Sequence, residues 1–318
     1  MITQKNLLKN PTTVKEGIEA KIQNRLLTGF ENWNRGFDAW KAWGDILYTK
    51  DSIYNVHGAR LTLSQYQASM DVTLKKTNIL MGDFHNMLIC GEYTAIYYGI
   101  ITMYGERKNP GTVMEFVKFK DYGKELGTRV VEGWGGTNDT SYSGMLNFQG
   151  PDEKAYQEEQ IKEMLEYEFP ETDNLKEKYI IKNPSTYIED YANELLNIIL
   201  LGFDKWNNYL NEDDNHKSYE KWLDDNFDEN AVFCSLKGEN RTKAKYKVEI
   251  KELFKKYDIK KIFFDNVLIR DKWVGLHYRF TNTTLKLDNN VKTVGDRMQF
   301  LQFEKKDNVW KIIASFIK

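Results

Sequence analysis

Apolar residues recur early in the chain at the spacing of an amphipathic helix. The residues of this stripe are three or four positions apart: Ile22, Leu26, Phe30, Trp33, Phe37 and Trp40. The same steps return 173 positions later (22 and 195, for example), at Leu195, Ile199, Phe203, Trp206 and Leu210. The pattern predicts one long helix near the start of each half of the chain, with the same face packed in both.

Each predicted helix is followed by segments rich in β-branched and aromatic residues, which is typical of strands. In the first half these segments are 84–89, 93–104, 113–119 and 128–134, with a tight connection at 91–93 and a turn at 121–127. Long helices that precede hairpin-connected strands indicate an α+β domain. The expected architecture is two tandem cone-shaped domains, each with N-terminal helices on a curved antiparallel sheet that encloses a pocket.

A duplication explains why the halves resemble each other. GFENWN at 29–34 returns as GFDKWN at 202–207, and 84–100 matches 264–280 at five of seventeen positions. The predicted organisation is a first copy over 1–150, a connecting helix and linker over 151–183, and a second copy over 184–318. The repeated tryptophans, including Trp43 and Trp222, are predicted to seal the helices onto the sheet of each copy.

Composition narrows the functional classes. The 318 residues are 41% hydrophobic and 29% charged with a net charge of -2, and no basic stripe favours nucleic acid as a partner. Neither a signal peptide nor an apolar run long enough to cross a membrane is found, so we expect a cytoplasmic protein without a membrane partner. Cys90 and Cys234 lie in apolar runs and are interpreted as buried thiols.

The sequence predicts neither a metal site nor a cofactor. Its four histidines, His57, His85, His216 and His277, do not occur in an H-x-x-x-H arrangement. Glycine-rich nucleotide loops and the G-x-S-x-G nucleophile motif are likewise missing.

Short motifs resemble the nuclear transport factor 2-like superfamily, and within it the SnoaL-type polyketide cyclases and ketosteroid isomerase. They are the aromatic N-terminal helix, YTKDSIYNVHG at 48–58 and VMEFVKFKDYGKELGTRVVEGW at 113–134, with counterparts at 228–238 and 297–316. The resemblance implies a pocket for small apolar molecules under the helices. Some members isomerise or cyclise such molecules, and others only bind them or mediate protein contacts.

Glu115 is the foremost catalytic candidate. Strand alternation places it on one face with Val113, Val117 and Phe119, so burial would raise its pKa and favour a general acid or hydrogen-bond donor. The resemblance implies the same role, because the position matches an acidic pocket residue of ketosteroid isomerase. The alternative is a carboxyl group neutralised by a tyrosine or arginine without any chemistry.

Other candidates surround Glu115 in the predicted pocket. The family's catalytic base corresponds to Val56 here, so His57 is a substitute base and Glu132 an assisting acid. The expected substrate contacts are Trp40, Asn55, His85, Tyr97 and Trp134. Their alternative roles are packing and a strand-end salt bridge, and of Tyr97 and Tyr98 only one can face inward.

The function predicted from sequence is binding of a small hydrophobic or cyclic molecule in the first copy, with acid-base isomerase, cyclase or lyase activity as one option. In the second copy Gln299 replaces Glu115, so that copy is expected to have drifted towards a structural or binding role. The alternatives are a non-catalytic carrier or sensor and a protein-interaction module. The two copies are also expected to pair as an intramolecular pseudo-dimer, or the chain as a homodimer.

Overall fold

The computed structural model describes residues 16–56, 59–137, 158–159, 161–179, 181–183, 190–209, 217–234, 239–285 and 292–317. The chain divides into two compact units: unit 1 comprises residues 1–157 and unit 2 residues 158–318. The second part of the predicted linker therefore belongs to unit 2, where Met164 packs against Ile262 and Phe263. The finer boundaries at 150 and 184 stay a prediction.

Unit 1 begins with helices, as predicted, but a further helix that was not predicted lies between its second and third strands. Its elements are α1 (Gly17–Trp33), α2 (Phe37–Leu47), β1 (Tyr48–Val56), β2 (Ala59–Thr62), α3 (Leu63–Lys76), β3 (Asn78–Cys90), β4 (Tyr93–Tyr104), β5 (Arg107–Asp121), α4 (Gly123–Leu126) and β6 (Thr128–Thr137). Strand β4 has the bounds expected from the sequence. The first apolar stripe belongs to two helices, because the chain breaks at Gly36, whose φ of 110° is left-handed backbone that glycine tolerates.

Unit 2 repeats this order after a short leading segment. Its elements are α5 (Leu175–Lys178), β7 (Ile181–Asn183), α6 (Ala192–Asn207), α7 (Lys217–Asn226), β8 (Phe227–Cys234), β9 (Asn240–Thr242), α8 (Lys243–Phe254), β10 (Tyr257–Arg270), β11 (Trp273–Thr284), β12 (Lys292–Lys306) and β13 (Val309–Ile317). Leu210, the last residue of the second predicted stripe, lies outside the described residues.

Each unit contains a single mixed sheet, and both units are α+β. The strand order is β2-β1-β6-β5-β4-β3 in unit 1 and β7-β10-β11-β12-β13-β8-β9 in unit 2. The expectation of a wholly antiparallel sheet needs correction, since β1 pairs with β6, and β8 with β13, in parallel. These partners are far apart in sequence, so no hairpin forces them to run in opposite directions.

The repeated glycine of GFENWN and GFDKWN accommodates a tryptophan from the next helix. A Cβ on Gly29 would lie 2.0 Å from Cζ2 of Trp43, and one on Gly202 would lie 2.3 Å from Cζ2 of Trp222. Only a residue without a side chain allows these rings to approach the helix backbone so closely. This contact joins helix to helix, so it does not test the predicted sealing of the helices onto the sheet.

The repeated tryptophan and the asparagine after it attach the first helix to the sheet. In unit 1, Trp33 Nε1 donates to the carbonyl of Ile79 at 2.7 Å, and the Asn34 amide exchanges two hydrogen bonds with the backbone of Met81. The same three bonds recur in unit 2, from Trp206 to Ile259 and between Asn207 and Lys261. The repeated phrase thus fixes where the first long strand of each sheet begins.

Two sequence-based expectations concern the chain as a whole. Among the residues described above, no helix is both long enough and apolar enough to cross a membrane. Cys90 and Cys234 are both buried, as expected from their apolar surroundings.

Candidate functional site

The described residues of unit 2 enclose a cavity of about 330 Å³ between the helices and the concave face of the sheet. This volume falls within the range of small-molecule pockets. Its walls are largely aromatic, formed by Phe203, Trp206, Tyr219, Trp222, Tyr278 and Phe280 among others. The arrangement suits a flat apolar molecule.

Lys261 is the unexpected residue of this cavity. In β10 a bulge interrupts the pairing between Lys261 and Phe263. Ile262 and Phe263 both pack on the outer side with Met164, whereas Phe264 stacks on Phe203 in the core with ring centroids 4.5 Å apart. With two successive residues turned outward, Lys261 turns inward with Phe264 and lines the cavity.

The Lys261 ammonium lies among aromatic rings. Its Nζ is 4.2 Å from the ring centroid of Phe203, 4.1 Å from that of Trp206 and 5.5 Å from that of Tyr278. Burial lowers the pKa of Lys261 to about 7, because desolvation penalises the charged form. Within the described part of the chain, no hydrogen bond or ion pair reaches this Nζ. The amine is therefore divided between its neutral and charged forms near neutral pH.

A second cation lines the same cavity without a carboxylate partner among the described residues. The Nη1 of Arg297 donates to the backbone carbonyl of Asp296 at 2.8 Å. Its guanidinium carbon lies 4.8 Å from the ring centroid of Phe280. By contrast, Arg241 is paired with Glu249, with Nε and Oε1 2.8 Å apart. The charged groups of the cavity therefore carry an excess of positive charge.

The remaining polar groups of the cavity are neutral. Gln299 donates from Nε2 to Oγ of Ser315 at 2.9 Å. Burial raises the pKa of Tyr246 to about 12 and raises the pKa values of Tyr219 and Tyr278 further above their ordinary value. These tyrosines stay protonated near neutral pH and can donate hydrogen bonds.

Unit 1 has a far smaller cavity at the corresponding place. It measures about 40 Å³, room for a few water molecules. The Tyr54 side chain lies against Gly133 and Gly135 of β6. A Cβ on Gly133 would lie 2.5 Å from Cδ2 of Tyr54, and a Cβ on Gly135 would lie 2.8 Å from its Oη. In unit 2 the aligned residues are Phe233, Ser315 and Ile317, and they leave the cavity open. The expectation that the first copy keeps the ligand pocket is therefore reversed.

Glu115 does lie in the interior of unit 1, as predicted. Its Oε1 accepts a hydrogen bond from the Tyr98 hydroxyl at 2.8 Å, and the Tyr54 hydroxyl is a second partner. Burial raises the pKa of Glu115 above its ordinary value, although both hydrogen bonds act in the opposite direction. Trp40 lines the same small cavity. This geometry matches the alternative of a carboxyl group satisfied by tyrosines.

Five other candidates were expected beside Glu115 in the pocket, and this expectation needs correction. They lie on the opposite face of the sheet. Tyr98 faces the cavity, so Tyr97 faces away from it and packs on His85 with ring centroids 4.9 Å apart. Since Gly133 and Gly135 face the Tyr54 ring in the core, the alternating residues Glu132 and Trp134 lie on the opposite face of the sheet.

Asn55 belongs to the same outer face. It donates from Nδ2 to Oε1 of Glu132 and to the carbonyl of Gly133, both at 3.2 Å. His57 lies outside the described residues, while Val56, which occupies the position of the family's base, is buried in the core. Catalytic roles for His57 and Glu132 stay predictions.

Sequence reasoning missed Lys261 and Arg297. Alignment at the offset used for 84–100 and 264–280 places Lys261 opposite Met81, and the offset of 114–119 and 298–303 places Arg297 opposite Val113. At both positions unit 2 has a charged residue where unit 1 has an apolar one, and this difference was visible in the sequence. The inward direction of Lys261 was not, because simple alternation from Phe264 would turn it outward.

Comparison with known proteins gives similarity at the level of structure. No family model matches the sequence, and a search of curated proteins finds no match. A candidate polyketide cyclase from Xanthomonas campestris is 12% identical, with a TM-score of 0.34, over 41% of this chain and 100% of its own.

Two further solved structures are similar to the same extent. A SnoaL-like polyketide cyclase from Agrobacterium tumefaciens is 16% identical, with a TM-score of 0.30, over 39% of this chain and 89% of its own. An NTF2-like protein of unknown function from Exiguobacterium is 12% identical, with a TM-score of 0.31, over 38% of this chain and 95% of its own. At these identities and TM-scores, the three structures carry no inference about the function of this chain.

Proposed function

We propose that unit 2 binds a small, flat, largely apolar molecule that carries an anionic group, such as an aromatic carboxylate. The observation that carries the proposal is a cavity of about 330 Å³ with aromatic walls and two cations, Lys261 and Arg297, that lack a carboxylate partner among the described residues. The apolar body would contact the rings, and the anion would meet the cations.

Electrostatics favours an anion over a neutral polar group. Keeping a charge away from water without a partner costs free energy, and arginine cannot relieve that cost by losing its proton. A bound carboxylate would offset the cost at Arg297 through charge-assisted hydrogen bonds. It would also favour the protonated form of Lys261, so binding would be accompanied by proton uptake near pH 7 and above.

Calorimetric titration with matched pairs of ligands tests the proposal. A panel of aromatic carboxylates, 2-naphthoate among them, is compared with the corresponding alcohols, such as 2-naphthalenemethanol. We expect the best carboxylate to bind at least about tenfold more tightly than its alcohol, a difference of about 1.4 kcal/mol. Replacing Arg297 by methionine should remove most of that difference.

A variant that copies the closed cavity of unit 1 is the matched control. The changes Phe233→Tyr, Ser315→Gly and Ile317→Gly install the residues that fill the smaller cavity, and binding of both ligand types should fall by about tenfold or more. Equal affinities for the carboxylates and their alcohols, or unchanged binding by this triple variant, would contradict the proposal.

The sequence-based proposal of ligand binding and acid-base chemistry in unit 1 has less support, because about 40 Å³ does not admit a small hydrophobic molecule. A carrier or sensor role fits unit 2 without any catalytic step. Pairing of the two copies or of two chains, a protein-interaction role and a cytoplasmic location stay predictions.

A further inference from the structure

We propose that Lys261 is a nucleophilic lysine that forms a reversible imine with an aldehyde or ketone held in the cavity of unit 2. This inference rests on the proposed function for access of an apolar molecule to the cavity. It adds a covalent step and a second chemical class of ligand.

The position of the amine supports the inference. The Asn207 amide donates to the backbone carbonyl of Lys261 at 2.7 Å and accepts from its backbone N–H at 2.8 Å. These two bonds fix the point at the cavity wall from which the Lys261 side chain starts. The Nζ lies 4.1 to 5.5 Å from three ring centroids, and the described residues provide neither a donor to its lone pair nor an acceptor for its protons. A flat carbonyl compound stacked on these rings would place its carbonyl carbon near the amine.

The protonation state supports the same conclusion. Only the neutral amine attacks a carbonyl carbon, and an ordinary lysine with a pKa near 10.4 is neutral in roughly one molecule in a thousand at pH 7. Burial lowers the pKa of Lys261 to about 7, so about half of these amines are neutral at that pH. Desolvated lysines in apolar pockets are activated in this way.

Other titratable groups in the cavity do not supply this nucleophile. Those that line it with Lys261 are Tyr219, Arg241, Tyr246, Glu249, Tyr278 and Arg297, together with the thiol of Cys234. The pKa values of the three tyrosines are raised by burial, and Arg241 is paired with Glu249. Cys234 can add to a carbonyl group, but the resulting hemithioacetal cannot lose water to form a C=N bond.

The reaction balances without an added oxidant or reductant. The Nζ lone pair attacks the carbonyl carbon and forms a C–N bond, and proton transfer from nitrogen to oxygen gives a carbinolamine. Loss of water breaks the C–O bond and leaves the imine, C=N. Hydrolysis reverses the sequence and releases the carbonyl compound and the free amine.

Reductive trapping tests the inference on the full-length protein. The chain is incubated with 2-naphthaldehyde and sodium cyanoborohydride at pH 7, and intact mass and peptide mapping locate the naphthylmethyl groups. Cyanoborohydride supplies hydride to the imine carbon and makes the bond permanent. We expect Lys261 to be modified on the order of 1,000-fold faster than the exposed lysines, given the difference in neutral fraction.

The rate of trapping should also depend on pH in a characteristic way. For Lys261 it should rise as pH increases and level off above about 7, whereas trapping at exposed lysines should continue to rise towards pH 10. Lys261→Met, which installs the residue of unit 1, and Lys261→Arg should both abolish the fast modification. Lys245→Met, at an exposed position, should leave it unchanged.

Competition with 2-naphthoate separates this inference from the proposed function. Protection of Lys261 by the carboxylate supports both, and fast modification without protection supports the imine while contradicting anion binding in the same cavity. Modification at equal rates on exposed lysines and Lys261 overturns the imine. It leaves the proposed function intact if the carboxylate still binds by calorimetry, and overturns both if it does not.

Discussion

Met81 in unit 1 and Lys261 in unit 2 occupy corresponding places in the two units. The backbone N–H of Met81 donates to Asn34, and that of Lys261 donates to Asn207. Both side chains line the cavity of their unit. In one copy the residue completes an apolar core, and in the other it brings an amine among aromatic rings. The difference shows that the scaffold contacts were retained while the interior was free to change.

The space inside each unit depends on the residues of its last strand. Glycines at 133 and 135 admit the Tyr54 ring, which fills unit 1 and reaches Glu115, while Ser315 and Ile317 occupy the aligned positions of unit 2. The charged residues differ accordingly, with a satisfied carboxyl group in the closed unit and unpaired cations in the open one. A residue type that suggests catalysis therefore does not by itself indicate where a ligand fits.

The largest expected effect on stability comes from disrupting the glycine–tryptophan contact that both units contain. Gly29→Ala and Gly202→Ala each introduce a Cβ that overlaps a tryptophan ring, and each should lower the free energy of unfolding by about 3 kcal/mol. Gly44→Ala is the control, because its Cβ would lie 3.4 Å from the nearest atom, Nε2 of Gln67. Chemical denaturation gives these values, and a loss in only one unit would show that the two contacts are not equivalent.

The difference between Met81 and Lys261 predicts a pH-dependent stability. Lys261→Met should raise the free energy of unfolding by about 2 kcal/mol at pH 7, because it removes the cost of burying an ammonium group. Below pH 7 both folded and unfolded chains hold the proton and the full cost is present. From about 7 to about 10.4 the folded chain has lost the proton that the unfolded chain keeps, so the cost falls as pH rises and is nearly gone by about pH 10.

Denaturation of the wild type and Lys261→Met at several pH values measures this dependence. The advantage of the variant should be greatest at or below pH 7 and should nearly vanish by pH 10. Lys245→Met, at an exposed site, should give a difference that does not change with pH. An equal advantage of Lys261→Met at pH 6 and pH 10 would contradict the burial of a charged amine.

The smallest expected effect concerns Glu115. Since burial raises its pKa, the folded chain keeps a proton that the unfolded chain releases above about 4.3, and stability is lost as pH rises through the folded pKa. Glu115→Gln copies Gln299 and retains an acceptor for the Tyr98 hydroxyl. We expect the variant to be slightly more stable than the wild type at pH 8, by about 1 kcal/mol or less, and no more stable at pH 4.

The control for this measurement is Glu125→Gln, at an exposed position of α4. It should leave the difference in stability between pH 4 and pH 8 as it is in the wild type. A Glu115→Gln variant with the wild-type pH dependence would show that this carboxyl group does not titrate differently in the folded chain.

The prediction from sequence succeeded where a property is local. Strand β4, from Tyr93 to Tyr104, has the predicted bounds, and the direction of Glu115 followed from simple alternation in β5. No prediction was made for Lys261, whose inward direction depends on the bulge in β10 and not on the alternation that Phe264 would suggest. The prediction failed at Tyr97, because two adjacent tyrosines offer no local signal for which one faces inward.

The sequence alone predicted that a helix begins each unit and that the same short phrase joins this helix to the sheet in both, because these features depend on periodicity and on short contacts repeated in both halves. Tertiary structure decided which copy keeps a cavity and which charges face it. Those outcomes depend on the volume left when residues far apart in the chain meet, as Tyr54 meets Gly133 and Gly135, and on a bulge that only strand pairing reveals.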